Sequence, residues 1–205
     1  MHMHVRLNYI AGDPLRIGDV VKYLENEVRR LVEEQPGSQG MSLAVNAALG
    51  VAVLESLWVS GDAMRESERV VAPLRHEMSL RGTATVAVER PGLASMLRLI
   101  RPPAGAGVQL TRLDTPVQDV DDMIAAYEDT TVPWLTETSG FCAQRLYVDR
   151  GTGRSVSETL WRDAHALAVS RSAAAAVRVD MVAATGSTVR ALEEYSLVFS
   201  SVRSG

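Results

Sequence analysis

Residues 50–78 read GVAVLESLWVSGDAMRESERVVAPLRHEM, and the pattern returns at 154–181 as RSVSETLWRDAHALAVSRSAAAAVRVDM. Trp58 falls on Trp161, Glu55 on Glu158 and Met78 on Met181, each 103 positions later by subtraction of residue numbers. Each copy opens on a short apolar run suited to a buried strand. It passes through a polar step and enters a segment whose apolar residues recur at helical spacing. A repeat that takes up about half the chain predicts two copies of one structural unit.

The flanking residues complete that unit. Residues 5–10 alternate apolar and polar side chains, a strand pattern. Asp13-Pro14 reads as a helix cap with proline at the first helical position. Ile17, Val20, Val21, Leu24, Val28, Leu31 and Val32 then form one apolar stripe, closed by Gln35-Pro36-Gly37. Strands follow at 40–46 and 51–58. Ser60 is placed to cap a second helix that carries Ala63, Met64, Val70, Val71 and Leu74 on one face. Pro73 predicts a kink or restart near Ala72, because proline lacks the donor a helix interior needs. Residues 83–89 read as a fourth strand, so the unit runs β-α-β-β-α-β.

The second copy predicts a strand at 108–113, a cap and proline at Asp114-Thr115-Pro116, and a stripe of Val120, Ile124 and Tyr127 that Pro133 interrupts before Trp134. Its remaining parts are a strand opening at Ser139-Gly140-Phe141, a hairpin at 149–153 that reads longer than its counterpart, a strand at 154–161, an alanine-rich helix and a strand at 188–201. Residues 90–107 contain RPG and RPPAGAG and are the linker candidate. Leu93, Met96, Leu97, Leu99 and Ile100 are too apolar for a free tether, so part of the segment should pack. The expected division is 1–100, a linker at 101–107, and 108–205. The expected fold class is α+β: tandem ferredoxin-like βαββαβ repeats, each hiding an apolar sheet face against its twin in an intramolecular pseudo-dimeric α+β barrel.

Bulk composition excludes several function classes. The chain has 205 residues, 46% hydrophobic and 22% charged, within the globular range. A net charge of -4 gives no basic surface for nucleic acid or an anionic membrane. Lys22 is the only lysine, which fits the codon bias of a GC-rich bacterial genome. A single cysteine, Cys142, forms no internal disulfide and reads as a small buried residue. Neither a signal peptide nor an apolar run of membrane-spanning length is present, so the expected location is cytoplasmic. His2 and His4 near the start would bind metal only incidentally, and no phosphate loop or metal-ligand spacing occurs.

PGSQGM at 36–41, TSGF at 138–141, and the phrases LESLWVSGDAM and SETLWRDAHAL resemble the dimeric α+β barrel superfamily, which includes the antibiotic-biosynthesis monooxygenases. The likeness runs once through each copy. In haem-degrading members of that group an asparagine lies in the first strand, with a tryptophan and a histidine on or after the second helix. By this resemblance Asn8 and His76 are the candidate catalytic residues, and Ser67 stands where the tryptophan would fall. At constant offset the second copy has Thr111, Ser170 and Val179. Pairing Pro14 with Pro116 instead puts Leu110 opposite Asn8. The resemblance therefore implies a site in the first repeat.

Each candidate has two readings. His76 reads as an axial haem ligand or general base, or as a solvent-facing helix histidine. Asn8 reads as a hydrogen-bond donor to ligand oxygen, or as an ordinary strand asparagine. Glu55 and Glu158 read as acid–base groups with raised pKa, or as structural carboxylates paired to an arginine such as Arg145 or Arg154. Trp58 and Trp161 read as sheet–helix packing, or as stacking surfaces for substrate. His165 carries no assigned chemistry.

The expected substrate-binding residues are Trp58, Ser67 and Glu55. The expected function is monooxygenase-like action on, or binding of, a small aromatic compound or haem in an apolar pocket of the first repeat. No cofactor is required, although haem through His76 fits the resemblance. Alternatives are a non-catalytic binding or structural protein, and an isomerase or cyclase with Glu55 or His76 as base. The expected partners are a small apolar or aromatic ligand, without nucleic acid or membrane. The assembly is a monomeric pseudo-dimer or a homodimer.

Overall fold

The computed structural model describes residues 3–203; His2 lies outside them. The chain divides into two compact units, Met1–Arg90 with Tyr195–Gly205, and Pro91–Glu194. These boundaries differ from a cut at 101–107, for reasons that lie in the strand pairing.

In unit 1 the first strand, β1 (His4–Ala11), leads to a helix built from α1 (Ile17–Tyr23), a π turn (Leu24–Val28) and α2 (Arg29–Glu33). Next come β2 (Ser38–Asn46), β3 (Val51–Trp58), α3 (Gly61–Glu66), α4 (Glu68–Gly82) and β4 (Thr85–Glu89). The strands pair antiparallel in the order β4-β1-β3-β2, with Asn8 opposite both Leu54 and Val88. This is the sheet of a ferredoxin-like βαββαβ unit. Residues 196–200 add a fifth strand along β2, pairing Leu43 with Phe199 and Ala44 with Leu197.

Unit 2 begins with β5 (Gly92–Arg98) and continues with β6 (Gly107–Asp114), α5 (Val120–Ala126), a π turn (Tyr127–Thr131) and α6 (Val132–Glu137). It ends with β7 (Phe141–Asp149), β8 (Arg154–Trp161), α7 (Ala164–Thr185) and β9 (Thr188–Ser200), whose last residues belong to unit 1. The order β9-β6-β8-β7 repeats that of unit 1, and β5 adds to β7. The apolar stretch inside the expected linker is thus a strand. Residues 92–98, placed with the first repeat on sequence alone, pair within unit 2 as Met96 opposite Arg145 and Leu97 opposite Gln144.

The three leading strands of each unit, and both π turns, begin 103 positions apart. The connections 47–50 and 150–153 are equal in length, so the second hairpin is not longer than the first. Both close on a left-handed glycine, Gly50 (φ 66°) and Gly153 (φ 73°). A Cβ on Gly153 would lie 1.9 Å from the Thr115 carbonyl oxygen, which no side chain tolerates.

Two helix expectations change. The first helix starts at Ile17, because Asp13 instead accepts the Leu15 amide (2.9 Å) in a preceding turn. The second helix of unit 1 breaks at Ser67, before Pro73, which sits inside α4. Ser67 donates its hydroxyl to the Met64 carbonyl (2.7 Å), a local bond that competes with the helix ladder. Ser60 caps α3 as expected, accepting the Ala63 amide at 3.1 Å.

In unit 1 one continuous core joins sheet and helices through Val28, Leu54, Trp58, Val71 and Met78. In unit 2 the corresponding side chains form two groups, one around Met123, Tyr127 and Met181, the other around Leu135, Trp161 and Leu167. No helix of the described residues is long and apolar enough to cross a membrane.

Candidate functional site

The residues expected to form a site in unit 1 do not converge. Asn8 is buried, and its Nδ2 donates to the Leu54 carbonyl (3.2 Å), while Oδ1 has no partner. It lines a cleft of about 330 Å³, mouth included, with Ser56, Leu74 and Arg75. His76 is exposed on α4 and is not among the residues lining that cleft. Glu55 is buried, but it neighbours Leu54 in β3 and so points to the opposite face of the sheet from Asn8.

Trp58 and Ser67 are occupied by structure. The Trp58 indole donates to Ser56 Oγ (3.0 Å), and the Arg6 guanidinium sits 5.4 Å from the ring centroid. Arg6 is almost fully buried. It donates to Ser67 Oγ (3.0 Å) and to the Met64 carbonyl, and pairs with Glu68 at 2.9 Å. Burial pushes its pKa down to about 10, with Glu68 opposing the shift. Arg75 and Arg90 also contact Glu68, so an ionic cluster runs from the buried Arg6 out to the surface at Arg90.

The roomier cleft is in unit 2, contrary to the expected first-repeat pocket. It encloses about 440 Å³, mouth included. Most of its residues are positional counterparts of the smaller one's, with Thr111 at the place of Asn8 and Arg178 at that of Arg75. Tyr127 for Leu24 and Leu135 for Val32 take space from this cleft, and three other exchanges give it more. Ser157 stands where unit 1 has Leu54, Ala174 where it has Val71, and Val177 where it has Leu74. Three smaller side chains remove the atoms that knit the unit 1 core, and a packed interior cannot fill such a loss without moving backbone. The cleft touches both apolar groups of unit 2.

The cleft's chemistry is amphipathic. Trp134, Trp161, Leu113, Leu135 and Met181 supply apolar surface, and the two indoles lie 6.2 Å apart at 59°. Thr111, Ser157 and Thr159 supply hydroxyls from successive sheet positions. The π turn of unit 2 aims Tyr127 and Thr131 into the same space, a common use of this helical irregularity. Tyr127 hydroxyl lies 2.9 Å from Ser157 Oγ and donates to Gln144 Oε1 (3.3 Å). Burial raises its pKa, the Ser157 contact only partly opposing this, so it serves as a neutral donor. Trp161 donates to Thr159 Oγ1 (3.1 Å), repeating the Trp58–Ser56 pair.

The remaining candidates are structural. Glu158 pairs with Arg145 at 2.6 Å, and both side chains are buried, which is the arginine-paired reading. The Tyr147 hydroxyl adds a 3.5 Å contact. Burial raises the Cys142 thiol pKa, leaving a neutral buried residue. His165 is exposed on α7. No group of three or more metal-ligating side chains occurs among the described residues.

The residues present do not fit a haem. Neither cleft is lined by a histidine, and the implied ligand His76 faces solvent. Tyr127 is committed to Ser157 and Gln144, and the Met181 sulfur takes a 3.9 Å contact from Thr131.

No family model matches the chain. The uncharacterised protein Rv2557 of Mycobacterium tuberculosis is 28% identical over 90% of this chain and 82% of its own. A second from that organism, Rv2558, is 27% identical over 98% and 86%. Among solved structures, a candidate monooxygenase from Lactobacillus acidophilus superposes with TM-score 0.71 at 8% identity, covering 97% of this chain and 94% of that one. An anthrone oxidase-like protein gives 0.70 at 14% identity, covering 97% and 92%. A haem-degrading enzyme from Listeria monocytogenes gives 0.55 at 9% identity, covering 93% and 98%.

Proposed function

We propose that this chain, which has the ferredoxin-like dimeric α+β barrel fold of the monooxygenase-like proteins, binds a small aromatic compound in the cleft of its second unit. One observation carries the reading. The repeat has traded Leu54, Val71 and Leu74 of the first copy for Ser157, Ala174 and Val177 in the second, opening space beside two tryptophans. A ring of benzene or naphthalene size stacks on indole and sets its polar substituents against the hydroxyls of Thr111 and Thr159.

No histidine, carboxylate or thiol lines this cleft, so the chain offers no general base there. A monooxygenase reaction without cofactor would therefore draw on a substrate that arrives already ionised. Its electrons reduce dioxygen. One oxygen atom enters the ring, and the other leaves as hydroxide with the anion's remaining hydrogen and takes its second proton from solvent. The protein's part is to orient the ring, keep bulk water away and donate hydrogen bonds to the developing charge. The same absence of a base favours binding without turnover as the second reading. A cytoplasmic site of action belongs to the same proposal, and cell fractionation tests it.

The indole N–H signals of Trp58, Trp134 and Trp161 are separate probes in an NMR titration with 2-naphthol. Shifts at Trp134 and Trp161 with Trp58 unmoved support the cleft. Movement of Trp58 alone, or of none, refutes it. An oxygen electrode run on hydroquinones above their own pKa separates turnover from binding.

A further inference from the structure

The two clefts differ in their arginine as well as their volume. Arg75 and Arg178 occupy the same position in the repeat, and each lines the cleft of its own unit. In unit 1 the chain supplies Arg75 with a carboxylate, that of Glu68. In unit 2 the position of Glu68 is held by Arg171, which turns away to a two-point pair with Glu194 (2.8 and 2.6 Å). The place of Arg6, the other arginine on Glu68, is taken by Gln109. Gln109 hydrogen-bonds Glu194 and accepts from Arg178 at 3.4 Å.

Arg178 is left with that one long bond to a neutral oxygen. Among the described residues no carboxylate stands within ion-pair distance of it. Arg178 is half-buried and lines the cleft with Ala174, Val177 and Met181, and burial lowers its pKa with no acidic neighbour to offset the cost. A guanidinium in that state presents a planar fork of donors toward an open, aromatic-walled space.

We infer that the ligand of the second cleft carries a carboxylate and that Arg178 binds it, as Arg75 binds Glu68 in the first unit. The inference rests on the cleft reading above and adds the ligand's charge and class: an aromatic or apolar monocarboxylic acid. Glu68 already gives Arg75 a carboxylate in the first unit, from outside the residues that line that cleft. A single guanidinium among neutral hydroxyls matches one negative charge; a phosphate monoester would bring nearly two with only one cation to meet them.

Calorimetric titration at pH 7 tests this with 2-naphthoate, 2-naphthol and 2-naphthyl phosphate against the wild-type protein and Arg178→Met. The expected result is naphthoate binding at least about tenfold tighter than naphthol, the scale of one charge-assisted hydrogen bond. In Arg178→Met that preference disappears, while unchanged indole N–H signals of Trp134 and Trp161 in the free variant report an intact cleft. Arg178→Lys keeps the charge without the fork and falls between. Equal binding of naphthoate and naphthol, tighter binding of the phosphate, or a preference that survives Arg178→Met overturns the carboxylate assignment and leaves the aromatic cleft standing. Binding of none of the three overturns both.

Discussion

Refilling the second cleft with the side chains of the first should make the protein more stable and abolish its ligand binding. The variant is Ala174→Val with Val177→Leu, which copies Val71 and Leu74. Together the changes add three carbon atoms to a site where Ala174 is only 6% exposed. At about 0.8 kcal/mol per buried methylene the gross gain is about 2.4 kcal/mol. A β-branched residue in a helix returns about 0.5 kcal/mol, and ordering the leucine side chain a similar amount, which leaves about 1.5 kcal/mol. For a chain of this size that is a rise in melting temperature of about 3–6 °C. Differential scanning calorimetry measures it, and the naphthol titration is run on the same sample. A lower melting temperature would mean overpacking, and hence that the space is not there. A higher one with unchanged affinity would place the ligand elsewhere.

Three further outcomes follow from particular contacts. Glu68→Gln leaves Arg6, Arg75 and Arg90 facing each other, and should cost about 1–2 kcal/mol in urea unfolding, the figure reduced because Glu68 is a third exposed. Burial alone would raise the Glu68 pKa, but the Arg75 hydrogen bond and the charges of Arg6, Arg75 and Arg90 outweigh it and hold the group below its ordinary 4.5. Its contribution is therefore complete above that pH and lost as pH falls through the lower folded value, so wild type and Glu68→Gln should converge in urea midpoint in acid. Glu158→Gln removes the buried carboxylate that Arg145 pairs with at 2.6 Å and should cost about 3–5 kcal/mol, read as a shift of the denaturation midpoint at unchanged slope.

The location of the site was legible in the chain only by comparing its two halves residue by residue. Asn8 and His76 share a resemblance to known motifs, yet α4 turns His76 to solvent, and helix rotation relative to the sheet is set by packing. Glu55 was readable as buried from the strand alternation, but not which side of the sheet would receive it. Ser157, Ala174 and Val177 stood in view beside Leu54, Val71 and Leu74. The alanine-rich run at 173–176 reads as helix, and only the burial of Ala174, with its three neighbours exposed, shows which alanine leaves room in the core.

From sequence alone came the 103-residue repeat, the order of elements along each unit, the polar turn after each tryptophan and, as one of two readings, the arginine pairing of Glu158. These depend on local periodicity and on turn chemistry, which act over a few residues. Tertiary structure alone decided that residues 92–98 join the second unit and 196–200 the first, since strand pairing between distant segments leaves no local mark. It also decided which arginine finds a carboxylate. Arg75 and Arg178 have the same repeat position, and only the side chains that the fold brings around each give one of them a carboxylate and the other a neutral amide oxygen.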